Sequence, residues 1–407
     1  MSESANNLPT NRDENWRYAN LRPLARARVD AVPEGTPAPS LSALTLPAAL
    51  AGYERWVFVD GRHVASSAIS APSHAALLDV NQAGEAFAVM LDSELVNAGI
   101  DFSLARANAR RGDQVLQITL PNGSEAARIE LVFVASASAA QGTSYPRVQI
   151  HAQPHSRLCL VERHLSAGDA DSAVNAAVDI ALGPGANLDH VRVQDCAGKA
   201  GVFDTLVANV AEGANYRLRT VTLGGLTSRS TAFIKLAGRA ASCTYAAASV
   251  ARGIQTHDIF AEIDHAAPQS TTREIFRGIA TDRGKLAFNG KMIVRQTAHD
   301  ADSDQSIKSL LTGSGAEAAA RPQLEIYTDR VRAKHGATTG KLDEQMLFYM
   351  LSRGIDRPTA QALLQWAFIE DAVSQIEPLE LRRDVERLVS AQLLEVASLE
   401  GLLGELP

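Results

Sequence analysis

From about residue 125 to about residue 335 apolar side chains recur at every second position, and almost no window in that stretch has helical spacing. Ile129, Leu131 and Phe133 alternate with Glu130, Val132 and Val134. Val148 and Ile150, Leu158 and Leu160, and then Val174, Ala176, Val178 and Ile180 carry the pattern on. A period of two marks strands, and the lack of helices between them argues against alternating βαβ units. A weak repeat narrows the choice. Gly185-Ala186-Asn187 leads into Leu188, His190 and Arg192, and 28 residues later Gly213-Ala214-Asn215 leads into Tyr216, Leu218 and Thr220. Gly238-Arg239-Ala240-Ala241 opens a looser third copy before Cys243 and Tyr245. Repeats of ~20–50 residues mark solenoids, in which each coil buries its face only against the next. Abundant alanine and only 5 % aromatic residues suit such a thin, repetitive interior. A mainly β fold built on a parallel β-helix is the expectation, with a Greek-key β-sandwich as the alternative.

The flanks read differently. Arg17 to Val29 and Ser40 to Leu50 are expected as short helices, and Arg55 to Val64 as a hairpin turning at Asp60-Gly61. Phe87, Met90, Leu91, Leu95 and Leu104 recur at helical spacing across 83–112. After Gly340 helical spacing returns. Asp343 can cap a helix through Gln345, Leu347, Phe348 and Leu351, closed by Gly354. Asp356 and Pro358 start a second helix, with Leu363, Leu364, Ala367, Phe368 and Ala372 on its apolar face. Pro378 starts a third, with Leu381, Val385, Leu388, Val389 and Leu393. Residues 341–407 carry six basic and twelve acidic side chains, so about −6 of the net charge of −7 lies there. The expected organisation is a mainly helical region over 1–115, a β-helix core over 116–340 and an acidic helical domain over 341–407, the last folding as an independent module.

Composition excludes several function classes. With 39 basic and 46 acidic residues the chain lacks the excess positive charge of a nucleic-acid binder. No apolar run approaches the ~18 residues of a membrane span, the N-terminal MSESANNLPTNRDENW is polar, and cytoplasmic location is the default expectation. Cys159, Cys196 and Cys243 lie 37 and 47 residues apart, so they form no C-x-x-C metal motif. The run Gly336 to Lys341 is one residue short of a phosphate-cradling loop, and Leu342 replaces its hydroxyl. Gly313-Ser314-Gly315 has the wrong spacing for a hydrolase elbow. Asp300, Asp302 and Asp304 share one strand face and are conceivable acid/base or calcium groups, although HDADSDQS reads as a solvated loop. Among ten histidines, His257 and His265 fall on one face of a strand, a weak metal signal. His299 and His335 each follow or end a strand. On residues alone, His335 reads as a turn histidine bonded to a backbone carbonyl.

The block RPQLEIYTDRVRAKHGATTGKLDEQMLFYMLSRGI, residues 321–355, resembles the hallmark block of the SufB/SufD family of iron–sulfur cluster assembly scaffolds. Its most distinctive parts are His335-Gly336-Ala337-Thr338-Thr339-Gly340, Phe348-Tyr349 and Ser352-Arg353-Gly354-Ile355. Phe288-Asn289-Gly290, Gln305, Leu310-Leu311 and Pro322-Gln323-Leu324-Glu325-Ile326 extend the likeness upstream, and Glu14-Asn15-Trp16-Arg17-Tyr18 with Leu21 resembles the family's entry segment. His335-Gly336-Ala337, where the SufB branch usually reads His-Glu-Ala, and the lack of cysteine after Cys243 favour the SufD branch. Ala333 stands where the family often has cysteine, Arg330 where it has a second acidic residue, and Lys308 where asparagine is frequent.

The resemblance implies a right-handed parallel β-helix between helical flanks, acting as a non-catalytic scaffold. It implies pairing with a SufB-like β-helix subunit (or, in isolation, with a second copy of this chain) and a SufC-like ABC ATPase held on the C-terminal helices. No cofactor is expected to stay on this chain alone; a transient iron–sulfur cluster is expected at the interface of the complex. His335 is the candidate cluster-assembly and metal-binding residue, shared with SufB. Phe348, Tyr349, Arg353, Gly354 and Phe368 are candidate ATPase contacts. The alternatives are an extracellular-type β-helix carbohydrate-active enzyme using Asp300 to Asp304, and a SufB-like subunit able to hold a cluster by itself.

Overall fold

The computed structural model describes residues 9–10, 12–37, 39–67, 74–79 and 103–393. Strands β1 (Glu54–Val59), β2 (Arg62–Ser67), β3 (Ala75–Asp79) and β4 (Gln114–Leu120) begin two long sheets. One sheet continues through β5 (Ala127–Ala135), β8 (Arg157–Ser166), β10 (Asn187–Asp195), β12 (Asn215–Thr222), β14 (Ser242–Ala251), β16 (Thr271–Ala280), β18 (Ala301–Leu311) and β20 (Val331–Gly340). The facing sheet holds β7 (Arg147–Ala152), β9 (Ala173–Leu182), β11 (Gly201–Val210), β13 (Thr227–Leu236), β15 (Thr256–His265), β17 (Lys285–Val294) and β19 (Glu317–Ile326), with short β6 (Thr143–Ser144) beside β9. From β7 onward the chain crosses from sheet to sheet at every strand, and neighbouring coils pair in parallel. This is the expected β-helix, not a sandwich.

Register makes the repeat visible. Asn187 pairs with Asn215, Asn215 with Ser242 and Ser242 with Thr271, so like positions stack. Strand alternation turns Leu158, Leu160, Leu188, Tyr216, Leu218, Tyr245, Phe276 and Ile307 inward to meet Ile180, Leu206, Ile234, Ile259 and Phe288 of the facing sheet. One corner of each coil has a left-handed residue one or two positions before the strand: His155 (φ 59), Gly185 (φ 66), Gly213 (φ 61), Ala240 (φ 55), Gln269 (φ 59) and Asp300 (φ 60). Only two copies use glycine, which is why the repeat fades after Gly213. Each side chain with a Cβ at this corner carries a penalty of about 1–2 kcal/mol. Ala240→Gly is therefore expected to stabilise the fold by about 1 kcal/mol in urea unfolding, and Gly213→Ala, whose new Cβ would touch nothing, to destabilise it by a similar amount.

The hairpin at β1–β2 is as read: Val59 pairs with Arg62, leaving Asp60 (φ 49) and Gly61 (φ 85) as the turn. The Asp60 carboxylate accepts the Ser136 and Ala137 amides at 2.7 and 3.1 Å, tying the turn to the next coil. The first third is less helical than its spacing suggests. β1 already pairs in parallel with β5, so the solenoid takes in residues well before 116. The described helices there are α1 (Arg22–Arg26) and α2 (Ser103–Arg111), plus 3₁₀ turns at Glu14–Trp16 and Leu41–Ala43. Proline explains the shortening: Pro23 is tolerated only in the first turn, and Pro47 ends the second segment. Phe87, Met90, Leu91 and Leu95 lie outside the described residues.

The three C-terminal helices form, as α3 (Glu344–Ser352), α4 (Arg357–Val373) and α5 (Leu379–Leu393). Asp343 accepts the Gln345 amide at 2.8 Å, Asp356 accepts the Thr359 amide at 3.1 Å, and Gly354 (φ 87) closes α3. The buried face of α4 is Ala360, Ala362, Ile369, Ala372 and Val373; Leu363, Leu364 and Phe368 are half-buried and Ala367 is exposed. These helices are not an independent module. Ile369, Val373, Ile376, Leu381, Val385 and Val389 share one apolar cluster with Val191, Val221, Val250, Ile279 and Leu310 on the outer face of the sheet. Arg277 donates to Asp371 at 2.8 Å, Arg217 to Glu377 at 2.8 Å and Arg163 to Asp384 at 3.2 Å, so sheet arginines hold part of the acidic excess. A chain ending at Gly340 would bare this face. It should bind a hydrophobic dye and melt below the full chain; an unchanged melting temperature would restore the independent module.

Candidate functional site

β19 and β20 are the last strands of their sheets, so the solenoid ends there with its inner surface uncovered. Register places Tyr245 beside Glu274, Glu274 beside Gln305, and Gln305 beside His335, one column on the inner face. Burial stops at the end of this column. Glu274 and Gln305 are 2 % and 1 % exposed, whereas His335 is open to solvent. A shallow depression of about 260 Å³ lies over this edge, lined by Asp304, Lys308, Lys334, His335, Gly336 and Thr338.

Beneath His335 the interior is tight. Phe276 and Phe288 pack with ring centroids 4.7 Å apart. A Cβ at Gly290 would collide with Gln305 Nε2 and come within 2.8 Å of Glu274 Oε2, so glycine there is what admits the two polar side chains. Gln305 Nε2 donates to Glu274 Oε2. The remaining oxygen of each, Glu274 Oε1 and Gln305 Oε1, is buried with no hydrogen-bond partner among the described residues. Burial pushes the Glu274 carboxyl up to about 7, and the Gln305 bond pulls only partly against it. A carboxyl with a raised folded pKa withdraws stability as pH rises from its unfolded value near 4.3 through the folded one. Glu274→Gln should therefore gain stability relative to the parent between about pH 4.5 and 7, by roughly 3 kcal/mol at the plateau. Parallel denaturation curves at all pH values would contradict this.

The other candidates separate cleanly. Asp300, Asp302 and Asp304 sit opposite Arg330, Arg332 and Lys334, at 2.5, 3.2 and 2.8 Å. Arg273 also bonds Asp302 at 2.7 Å and lowers its pKa, whereas a general acid needs a raised one. These carboxylates form an ion-pair ladder, and the carbohydrate-enzyme reading loses its residues. His257 bonds Ser249 Oγ at 2.9 Å, and His265 bonds Ser270 and Thr272 at 2.8 and 2.9 Å; burial drives both down to about 4. They lie at opposite ends of β15 and are neutral core residues, not a metal pair. His299 bonds Thr328 at 3.1 Å. Cys196 and Cys243 are buried, and burial pushes the Cys196 thiol up to about 12 and that of Cys243 higher still. Among the described residues no three His, Cys, Asp or Glu side chains are grouped to hold a metal ion. The run from Gly336 to Gly340 is strand, not a phosphate loop.

The expected ATPase contacts do not form one patch. Phe348 and Tyr349 are 72 % and 58 % exposed on α3, and the Arg353 guanidinium lies 5.0 Å from the Tyr349 ring centroid. Gly354 is the helix end and Phe368 packs against the cluster under α4 and α5. The entry segment resembles the family's, but its pattern alone does not show what Trp16 packs against. It is 4 % exposed among Ala19, Leu104 and Phe203, under the Arg229 guanidinium at 4.4 Å, and Glu14 pairs with Arg321. The entry segment is a strap across the outer face of the β7–β19 sheet.

A parallel β-solenoid open at one end, with an exposed histidine at the opening, is the class of fold and site these strands define. Comparison with known proteins adds the family. The model of the family described as "SUF system FeS cluster assembly, SufBD core domain" matches residues 133–368, more than half of the chain, and the chain belongs to this family. It is 26 % identical over 389 residues to the iron–sulfur cluster assembly protein SufD of Escherichia coli, covering 95 % of this chain and 89 % of that one. It is 29 % identical over 222 residues to a SufBD family protein of Synechocystis, covering 54 % of this chain and 49 % of the relative. SufD of Plasmodium berghei is 26 % identical over 242 residues, which are 59 % of this chain and 18 % of that protein. No helix among the described residues is long and apolar enough to cross a membrane.

Proposed function

We propose that this chain is a non-catalytic scaffold subunit of the Suf iron–sulfur assembly machinery, working in the cytoplasm. It pairs through the open end of its solenoid with a SufB-like β-helix subunit and carries a SufC-like ABC ATPase on its C-terminal helices. The observation that carries this reading is His335, an imidazole at the uncovered end of an inner-face column. Around it the outward edges of β19 and β20 offer unpaired N–H and C=O groups, to which another chain's strand can add.

In this reading the cluster is cargo. Imidazole ligates iron in some clusters and also relays protons near neutral pH, so His335 supplies one ligand or one relay. Thiolates come from the partner, because the thiols of Cys196 and Cys243 are buried and held protonated, and half-buried Cys159, its pKa also raised by burial, lies on β8, six strands from β20. That burial also disfavours a SufB-like subunit holding a cluster alone. The exposed Phe348 and Tyr349 supply the apolar anchors typical of an interface.

The test is co-expression with SufB-like and SufC-like partners. His335→Ala should capture both partners and lose the cluster chromophore. Phe348→Asp should lose the ATPase and keep the β-helix partner. Normal cluster formation in the first variant would remove the role of His335, and unchanged ATPase capture in the second would remove that of α3.

A further inference from the structure

The pair below His335 is half-satisfied, and its geometry is directional. Gln305 Nε2 is engaged by Glu274, which turns Gln305 Oε1 away from that carboxyl. That oxygen is buried and has no hydrogen-bond partner among the described residues. Stranding a buried acceptor costs about 1–3 kcal/mol, so its persistence calls for a reason. The next in-register residue toward the open end is His335, one strand spacing of about 4.8 Å away. Its inner-face neighbours along β20 are Ala333 and Ala337, which offer no side-chain polar atom. Ser303, diagonal to it on β18, is engaged with Met292 at 2.5 Å, and Ile307 is apolar. Gln305 is thus the in-register inner-face acceptor beside the ring, and its oxygen has no other partner among the described residues, whereas Ser303 lies on the diagonal.

We propose that Gln305, anchored by Glu274, is a positioning residue for His335: the ring is not bonded to it in this structure, and on turning inward it donates a ring N–H to the Gln305 side-chain carbonyl, which holds the imidazole in one tautomer. The second ring nitrogen then keeps its lone pair directed at the opening, where the cargo iron arrives. Gly290 belongs to the same device, because any larger residue displaces the amide from the carboxyl. The inference rests on the reading of His335 given above and adds the reason for a buried acid–amide pair behind it.

The test is ring-nitrogen NMR of the ¹⁵N-histidine-labelled full chain, with the His335 signals assigned by their loss in His335→Ala. The parent should show one dominant tautomer. The double variant Glu274→Leu/Gln305→Leu removes both polar partners together and leaves no stranded charge. It should show a mixture of tautomers at His335, and cluster formation in the reconstituted complex should fall at least tenfold. Glu274→Gln, which preserves an amide partner for Gln305, should keep the single tautomer and most of the cluster yield. Gln305→Met gives the same readout if the double variant does not fold. A mixture already present in the parent, or a single tautomer surviving in the variants lacking Gln305, would overturn the proposal. Normal assembly by His335→Ala would instead overturn the functional reading, while the tautomer result on the free chain would still decide this one.

Discussion

Each coil can cover its inner face only with the coils above and below it, and it can complete its backbone hydrogen bonds only along the same direction. Much of the architecture follows from that one-dimensional dependence. Strands must stay in register, because a slip of one residue would turn Leu218 and Tyr245 outward and Arg219 and Ala246 inward. The stack must also begin and end somewhere. At its start β2 and β3 run antiparallel to β1 and β4, closing the first coils with hairpin-like pairing. At its far end β19 and β20 have no further strand, and that is where His335 lies.

The same interior shows two ways of placing charge in a narrow core. Near the middle, Glu162 meets His190 and His164 at 2.9 and 3.1 Å, and Arg192 at 3.1 Å. Burial alone would raise its pKa, yet Arg192 and the two histidines hold it well below the usual carboxylate range. Arg192 in turn bonds Asp204 at 2.7 Å, and both Glu162 oxygens are engaged, although His164 Nδ1 has no partner among the described residues. A buried carboxylate held through both oxygens rigidifies a core. Glu274 and Gln305, at the open end, leave two oxygens unmatched. The contrast is in the carboxylates: Glu162 is held through both oxygens, and Glu274 through one.

The outer faces are covered by chain from both ends. Trp16 and α2 lie on one sheet, the latter through Ala105 against Ala177, Val207, Phe233 and Phe260. The C-terminal helices lie on the other, with Asp371, Glu377 and Asp384 over arginines of the sheet. Ile369 and Val373 of α4 reach the strands beneath through Val250, so these helices and the solenoid share one core.

The sequence alone determined what depends on near neighbours. Alternation along each strand, the Asp60-Gly61 turn, the caps at Asp343 and Asp356, and the stop at Gly354 are set within a few residues. All were legible for that reason. His335 stood out only through its likeness to a family, since nothing local distinguishes it from His299. What the tertiary structure decided lies between coils and between termini. Glu274, Gln305 and His335 are about thirty residues apart in steps, and they meet only because three parallel strands stack in register. Asp300, Asp302 and Asp304 looked like free carboxylates until the next coil set Arg330, Arg332 and Lys334 against them. The acidic tail looked self-contained because its periodicity is local, whereas its apolar face is completed by valines up to two hundred residues earlier. Local pattern fixes which way a side chain points, but only the register of one coil on another fixes what it meets.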